Sequence, residues 1–207
     1  MNNFMDEDYC CCCNNLVTII CNLIIILLGL IVFLLWLIIQ PKAVKFTVTN
    51  ASLTQFSITN NNTLNYNLVL DIMIQNPNRK LGIYYDNIET LVFYKDSRFD
   101  FQTLETFFQH QKGIDFFSLV FEGQQVIFLS RYQISKFEEE KKDGVYGIDV
   151  KIFLNVRFKL GLFKTGKAKP KIRCNLKVPL RTSNVTFLGD GFQVTDCDWG
   201  YKGILFR

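Results

Sequence analysis

One histidine, His110, and four prolines stand among 207 residues, and the first 40 residues hold no lysine or arginine. A lone histidine confines Ser-His-Asp or Cys-His catalysis to a single position. No G-x-S-x-G elbow, P-loop, H-E-x-x-H or dinucleotide-binding glycine pattern occurs. Four prolines and 12 glycines exclude collagen-like and low-complexity chains. Asp86, Glu89, Asp96 and Asp100 lie close in sequence, but strand faces and turns account for them without a glycosidase pair. The expectation is a non-enzyme that uses no cofactor. What is present is apolar: 49% of residues are hydrophobic and 20% charged, enough buried surface to offset chain entropy. Charge is divided unevenly. Asp6, Glu7 and Asp8 give residues 1–40 a sum of −3, and the remaining 23 basic and 16 acidic residues give +7.

From Leu16 to Ile39 the chain reads LVTIICNLIIILLGLIVFLLWLII, 24 residues without a charge. About 20 suffice to cross a hydrocarbon core of about 30 Å. The run is apolar on every side, unlike an amphipathic core helix. It is too long for a signal-peptide h-region, and the residues before it are acidic where a signal peptide is basic. The expected organisation is an acidic, Cys-rich tail over 1–15, a transmembrane helix over 16–39, and one folded domain over 40–207.

Orientation is contested. Lys42 and Lys45 flank the C-terminal side of the span, which by the positive-inside rule places the N-terminus outside. Three features oppose this. Cys10, Cys11, Cys12 and Cys13 crowd the membrane as S-acylation by cytosolic enzymes requires. Asn-x-Ser/Thr sequons occur at Asn50, Asn61 and Asn184, all beyond the span. Cys174 and Cys197 form an isolated pair there, suited to a disulfide in an oxidising compartment, with two free thiols the alternative. The favoured reading is a single-pass membrane protein, N-terminus cytosolic and C-terminal domain extracellular. Cys10 and Cys13 have CxxC spacing, so zinc is a competing reading of that run. No second Cys or His pair follows to complete four ligands.

Beyond the span, hydrophobicity alternates with period two. Leu64, Tyr66, Leu68, Leu70, Ile72 and Ile74 share one face. Ile148, Val150, Ile152, Leu154, Val156, Phe158 and Leu160 share another, and Ile172, Cys174, Leu176, Val178 and Leu180 a third. Such alternation marks strands with one buried face. Shorter candidates are Val44–Thr49, Phe56–Thr59, Asn87–Tyr94, Phe117–Phe121 and Gln125–Leu129, separated by turns at Asn60-Asn61-Asn62, Asn76-Pro77-Asn78 and Asp143-Gly144. Ser135–Asp143 reads as one helical turn or a solvated loop. The fold class is all-β, an antiparallel sandwich of the immunoglobulin or fibronectin type III kind behind a single transmembrane helix.

Gln75–Tyr94, QNPNRKLGIYYDNIETLVFY, resembles the plant harpin-induced and non-race-specific-disease-resistance-like proteins, whose outer domain is the group 2 late embryogenesis abundant domain. Asn76, Pro77, Asn78, Ile83, Tyr84, Tyr85 and Asp86 match the family hallmark as they stand. FFQHQKG at 107–113 is similar to the family's aromatic-Gln-Gly-His-Lys segment, without the glycine between Gln109 and His110. The basic strands at 156–180 and Cys197 fit as well. The resemblance implies a β-sandwich at the plasma membrane that takes part in pathogen response and has no catalytic apparatus. Protection in dehydration or other abiotic stress is the alternative it suggests.

Read physically, the hallmark is structural. Pro77 removes a ladder donor and ends a strand, Asn78 suits a left-handed turn, and Tyr84 and Tyr85 point to opposite faces. One distributed feature suggests recognition. Arg157, Lys159, Lys164, Lys167, Lys169, Lys171, Arg173, Lys177 and Arg181 make 157–181 strongly basic. Expected partners are the membrane and proteins or acidic cell-wall polysaccharide; nucleic acid is not expected.

Overall fold

A computed structural model describes residues 8–39, 42–59, 61–164, 166–181 and 191–200. The sequon at Asn184 lies outside the described residues. The chain divides into two compact units, Met1–Gln40 and Pro41–Arg207.

The first unit is one helix, α1 (Asp8–Ile39), of 32 residues. At 1.5 Å per residue it is about 48 Å long. Its stretch Asn15–Leu34 is long and apolar enough to cross a membrane, and none of it is buried in protein. Helix geometry begins eight residues before Leu16, so Cys10–Cys13 sit on the first turns of α1 rather than in an irregular tail.

The second unit is built from antiparallel strands. In chain order these are β1 (Lys45–Ile58), β2 (Thr63–Gln75), β3 (Leu81–Tyr94), β4 (Ser97–Leu104), β5 (Phe107–Gln109) and β6 (Ile114–Val126). Helix α2 (Arg131–Asp143) follows, then β7 (Val145–Leu160), β8 (Phe163–Lys164), β9 (Lys171–Pro179), β10 (Thr195–Asp196) and β11 (Asp198–Trp199). One sheet has the order β10-β1-β2-β6. The other has the order β11-β9-β7-β3-β4, with β5 added to β3 and β8 to β7.

The three alternating faces read from sequence are the core. Leu64 through Ile74 on β2, Ile148 through Val156 on β7, and Ile172 through Val178 on β9 are buried at every second residue; Phe158, Leu160 and Leu180 are half-buried at the margins. Each fully buried aliphatic side chain contributes about 1.5–3 kcal/mol.

Three elements differ from the sequence expectation. Val44–Thr49 and Phe56–Thr59 are ends of the single strand β1, whose register on β2 shifts between Val48 and Asn50 and again between Leu53 and Gln55. Two extra residues break the alternation, so the strand reads as two. Likewise Phe117–Phe121 and the start of Gln125–Leu129 join into β6. The third is α2, a helix of 13 residues. Ser130 caps it, accepting from the Gln133 amide while the Gln133 side chain accepts from the Ser130 amide. Gly144, at φ 69°, closes it in the left-handed conformation that a glycine adopts without strain. The Asp143-Gly144 pair is thus a helix terminus and not a turn between strands. Phe137 alone is buried from α2, against Phe56, Tyr94 and Tyr146.

Candidate functional site

β2 ends at Gln75, as Pro77 dictates, but Asn78 is not left-handed; that conformation falls to Lys112, at φ 55°, in the neighbouring turn. Asn76 and Asn78 are instead buried and act as hydrogen-bond hubs. The Asn78 amide nitrogen Nδ2 donates to the Lys42 carbonyl at 2.7 Å, and its Oδ1 accepts from the Lys42 N–H at 2.7 Å. Asn76 Oδ1 accepts from the Asn78 N–H at 3.0 Å, and Asn76 Nδ2 donates to the carbonyls of Leu81 (2.8 Å) and His110 (3.1 Å). Gln109, also buried, donates to the Ile74 carbonyl at 2.8 Å and accepts from the Tyr85 hydroxyl at 3.1 Å. Tyr85 faces the core; its burial raises the phenol pKa. The hallmark residues therefore fasten the β2–β3 and β5–β6 turns to one another and to the segment that follows α1. The sequence marks Gln109 only as part of the family-like segment 107–113 and does not reveal that its side chain is a buried hydrogen-bond hub.

Tyr84 points outward, as expected, and the outer face of the second sheet is where the basic residues gather. Tyr84 pairs with Arg157 across β3 and β7. The Arg157 guanidinium lies 5.5 Å from the Tyr84 ring and Lys164 Nζ 4.8 Å from it. Phe108 packs against Tyr84 at 4.4 Å with the rings tilted by 40°, and carries Lys159 Nζ at 5.6 Å. Farther along the same face Lys151 Nζ sits 3.7 Å from the Phe93 ring and Lys171 Nζ 4.6 Å from Phe153. A cation over a ring keeps its charge while its stem is held against apolar surface, so less rotamer freedom remains to be lost on binding an anion.

Arg157 is also bound to the last hallmark residue. Its Nε and Nη2 donate to the two Asp86 carboxylate oxygens at 2.8 and 2.6 Å. This fork holds the Asp86 carboxyl below the usual carboxylate range, chiefly through the hydrogen bond. Asp86 thus orients a cation and is not placed as a proton donor. His110 is exposed and meets the Phe108 ring edge at 4.8 Å. Lys167 and Lys169 are exposed on the loop after β8, while Arg173 and Lys177 stand on the outer side of β9.

The cysteine and sequon positions separate. Cys174 on β9 is bonded to Cys197. Cys197 lies between β10, which pairs with β1, and β11, which pairs with β9, so the bridge sits where the chain passes from one sheet to the other. Asn61 is exposed in the β1–β2 turn. Asn50 is half-buried within β1, and its Nδ2 donates to Asp71 Oδ2 at 2.9 Å, the main cause of a lowered Asp71 pKa. A shallow cleft of about 430 Å³ lies between Val145, Asn175, Lys177, Pro179, Gly191, Gln193 and Thr195, with no carboxylate or histidine in its lining. Among the described residues no three His, Cys, Asp or Glu side chains converge as metal ligands do.

Compared with known proteins, the chain is 44% identical over 166 residues to "NDR1/HIN1-like protein 3" of Arabidopsis thaliana, covering 80% of this chain and 71% of that one. It is 41% identical over 168 residues to "NDR1/HIN1-like protein 10" of the same plant, covering 80% and 74%, and 41% identical over 167 residues to "NDR1/HIN1-like protein 2", covering 80% and 69%. A solution structure of another Arabidopsis thaliana protein aligns at 13% identity and TM-score 0.38 over 69% of this chain and 86% of that one. No family model matches the chain.

Proposed function

Since the chain belongs to the NDR1/HIN1-like family of plant defence- and stress-related proteins, we propose that it works by binding and placement, without catalysis. It is read as a single-pass plasma-membrane protein whose sandwich faces outward and engages acidic partners, such as the carboxylates of cell-wall polysaccharide, in the response to pathogens. The observation that carries this reading is the outer face of the second sheet. There Lys151, Lys171, Arg157 and Lys164 are each held over an aromatic ring. Cations already restrained in this way bind an array of carboxylates with a smaller entropic loss than free lysines do.

Orientation is supported by the Cys174–Cys197 bridge, which suits an oxidising compartment, and by the exposed sequon at Asn61. Acyl chains on Cys10–Cys13 would add lateral sorting to a protein already anchored by α1.

The test is binding of polygalacturonate, against a neutral glucan, to the full chain in nanodiscs. Binding is expected for the acidic polymer alone, to weaken as salt rises, and to fall about tenfold when Lys151 and Lys171 are both changed to Gln, a loss of about 1.4 kcal/mol. Equal binding of the two polymers, or no effect of the double change, overturns this assignment of the surface.

A further inference from the structure

β7 turns into β8 through Gly161 and Leu162 alone, with Leu160 paired to Phe163. Gly161 has φ 57°, which fits the first central position of the type II′ turn used by two-residue hairpins. A loop this short cannot fold its side chains back onto the sheet. Leu162 is accordingly 98% exposed and Phe163 79%. Solitary exposed apolar residues need no explanation. Two of them side by side at the point of a hairpin, bracketed by lysines, do.

The bracket carries a second penalty. Lys159 and Lys164 stand directly opposite each other across the hairpin, an arrangement of like charges that opposes strand pairing. Lys167 is exposed just beyond. A tip that leaves leucine and phenylalanine in water and sets ammonium groups against one another is relieved on both counts by one environment: an apolar layer beneath anionic headgroups.

The position of the hairpin within the sandwich supplies that environment. Leu81, at the start of β3, pairs with Leu160. The β2–β3 turn that precedes it is bonded through Asn78 to Lys42, and Lys45 opens β1 opposite Gln75. The tip therefore belongs to the end of the sandwich at which the chain arrives from α1. Only Gln40 and Pro41 separate Ile39, the last of α1, from Lys42 in the sequence. Arg79, Lys80 and Lys112 are exposed at this same end. Asp86 and Asp115 offset part of that charge, and the first is committed to Arg157.

We propose that the β7–β8 hairpin is a second membrane contact, with Leu162 and Phe163 entering the headgroup–acyl boundary of the bilayer that α1 crosses and Lys159, Lys164 and Lys167 meeting anionic lipid. The proposal rests on the reading of α1 as a membrane anchor. Amphipathic elements of this kind enter the boundary region by about 5–10 Å, and their binding depends on the lipid charge.

The full chain with Phe163→Trp, in nanodiscs whose acyl chains are brominated near the headgroup, tests this. The unsubstituted chain supplies the background of Trp36 and Trp199. In discs with about a third anionic lipid the added tryptophan is expected to lose about half its emission. The loss should shrink in zwitterionic discs and in the same chain carrying Lys164→Gln and Lys167→Gln. Tyr132→Trp, on the exposed start of α2 at the opposite end of the sandwich, is expected to keep its emission. Quenching at position 163 no greater than at position 132 overturns tip insertion. Equal quenching in neutral and anionic discs overturns the role given to the lysines. The anchor is read separately: if Trp36 of the unsubstituted chain escapes bromine, α1 does not span, and the tether on which tip docking rests falls with it.

Discussion

At Asn78 one buried amide closes a ring of hydrogen bonds with the backbone of Lys42, donating from Nδ2 and accepting at Oδ1, each at 2.7 Å. Asn76 Oδ1 receives both the backbone and the side-chain N–H of Asn78 at 3.0 Å. Replacing Asn78, itself buried, by Ala leaves these partners without their hydrogen bonds. Asn78→Ala is therefore expected to lower stability by on the order of 2–4 kcal/mol, read as an earlier loss of β-sheet signal when the full chain is heated in micelles. A change below about 0.5 kcal/mol would mean that water replaces the amide in full. The turn role of Asn76-Pro77-Asn78 is legible in the sequence, because proline and asparagine act locally. The clamp is not, since its partner lies 36 residues away and nothing about Lys42 as a residue type announces that its backbone will be held. Gln109 was hidden for the same reason: its carbonyl acceptor on Ile74 is 35 residues distant.

Elements were read best where one physical signal dominates. β2, β7 and β9 alternate with period two along their length, and their buried faces follow the sequence residue by residue. β1 alternates only in pieces, because each register shift inserts a residue that moves every later side chain to the other face. The helix α2 shows the reverse difficulty. EEEKK supplies the solvent side of a helix and of a loop alike, and a single buried Phe137 is too little to establish a period. Its ends, by contrast, carry definite chemistry. Ser130→Ala removes the acceptor for the Gln133 amide and opens the capping box, at an expected cost of about 1 kcal/mol. For a domain of this size that corresponds to a fall in Tm of about 2–4 °C, whereas Ser130→Asp is expected to retain it. A Tm unchanged in Ser130→Ala would show that the capping box does not hold the helix. Lys95 bears on the same helix, its ammonium 2.6 Å from Glu140, which also accepts from the Tyr94 hydroxyl at 2.8 Å. Residues of the β3–β4 turn thus help to fix α2 in place.

At the scale of the whole molecule, the 22-residue loop closed by Cys174 and Cys197 removes chain entropy from the unfolded state worth about 3 kcal/mol. It does so at the segment 195–199, which pairs successively with both sheets. Orientation governs whether that bond persists, and glycosylation reports orientation. With the sandwich outside, glycosidase treatment of membrane-expressed chain is expected to produce a mobility shift that Asn61→Gln reduces, because Asn61 is exposed in a turn at the end of the sandwich far from Lys42. Asn50→Gln is expected to leave the shift unchanged, since Asn50 lies about ten residues past the span and its Nδ2 is engaged with Asp71. No shift in any variant, with the sandwich open to protease from the cytosolic side, would invert the topology. The sandwich class and the apolar span were legible because both rest on patterns repeated over many residues. The aromatic–cation face was legible only as a basic stretch: its rings come from β3, β5 and β7, and only the sheet brings Tyr84, Phe93 and Phe153 beneath the lysines.

The arrangement of β1 also sets how the molecule carries load. The strand begins at Lys45, a few residues from α1, and runs the length of the sandwich against β2 through 12 register pairs, Lys45 with Gln75 through Ile58 with Leu64. A partner gripping the far end while the membrane holds the near end would draw β1 lengthwise past β2. In that shear geometry the backbone bonds resist together, whereas strands peeled apart from one end break theirs in turn. Lys42, fastened to Asn78, takes the first strain before the ladder feels it. Were α1 held in a bilayer, load applied at the far end of the sandwich would pass through the β1–β2 ladder to the anchor.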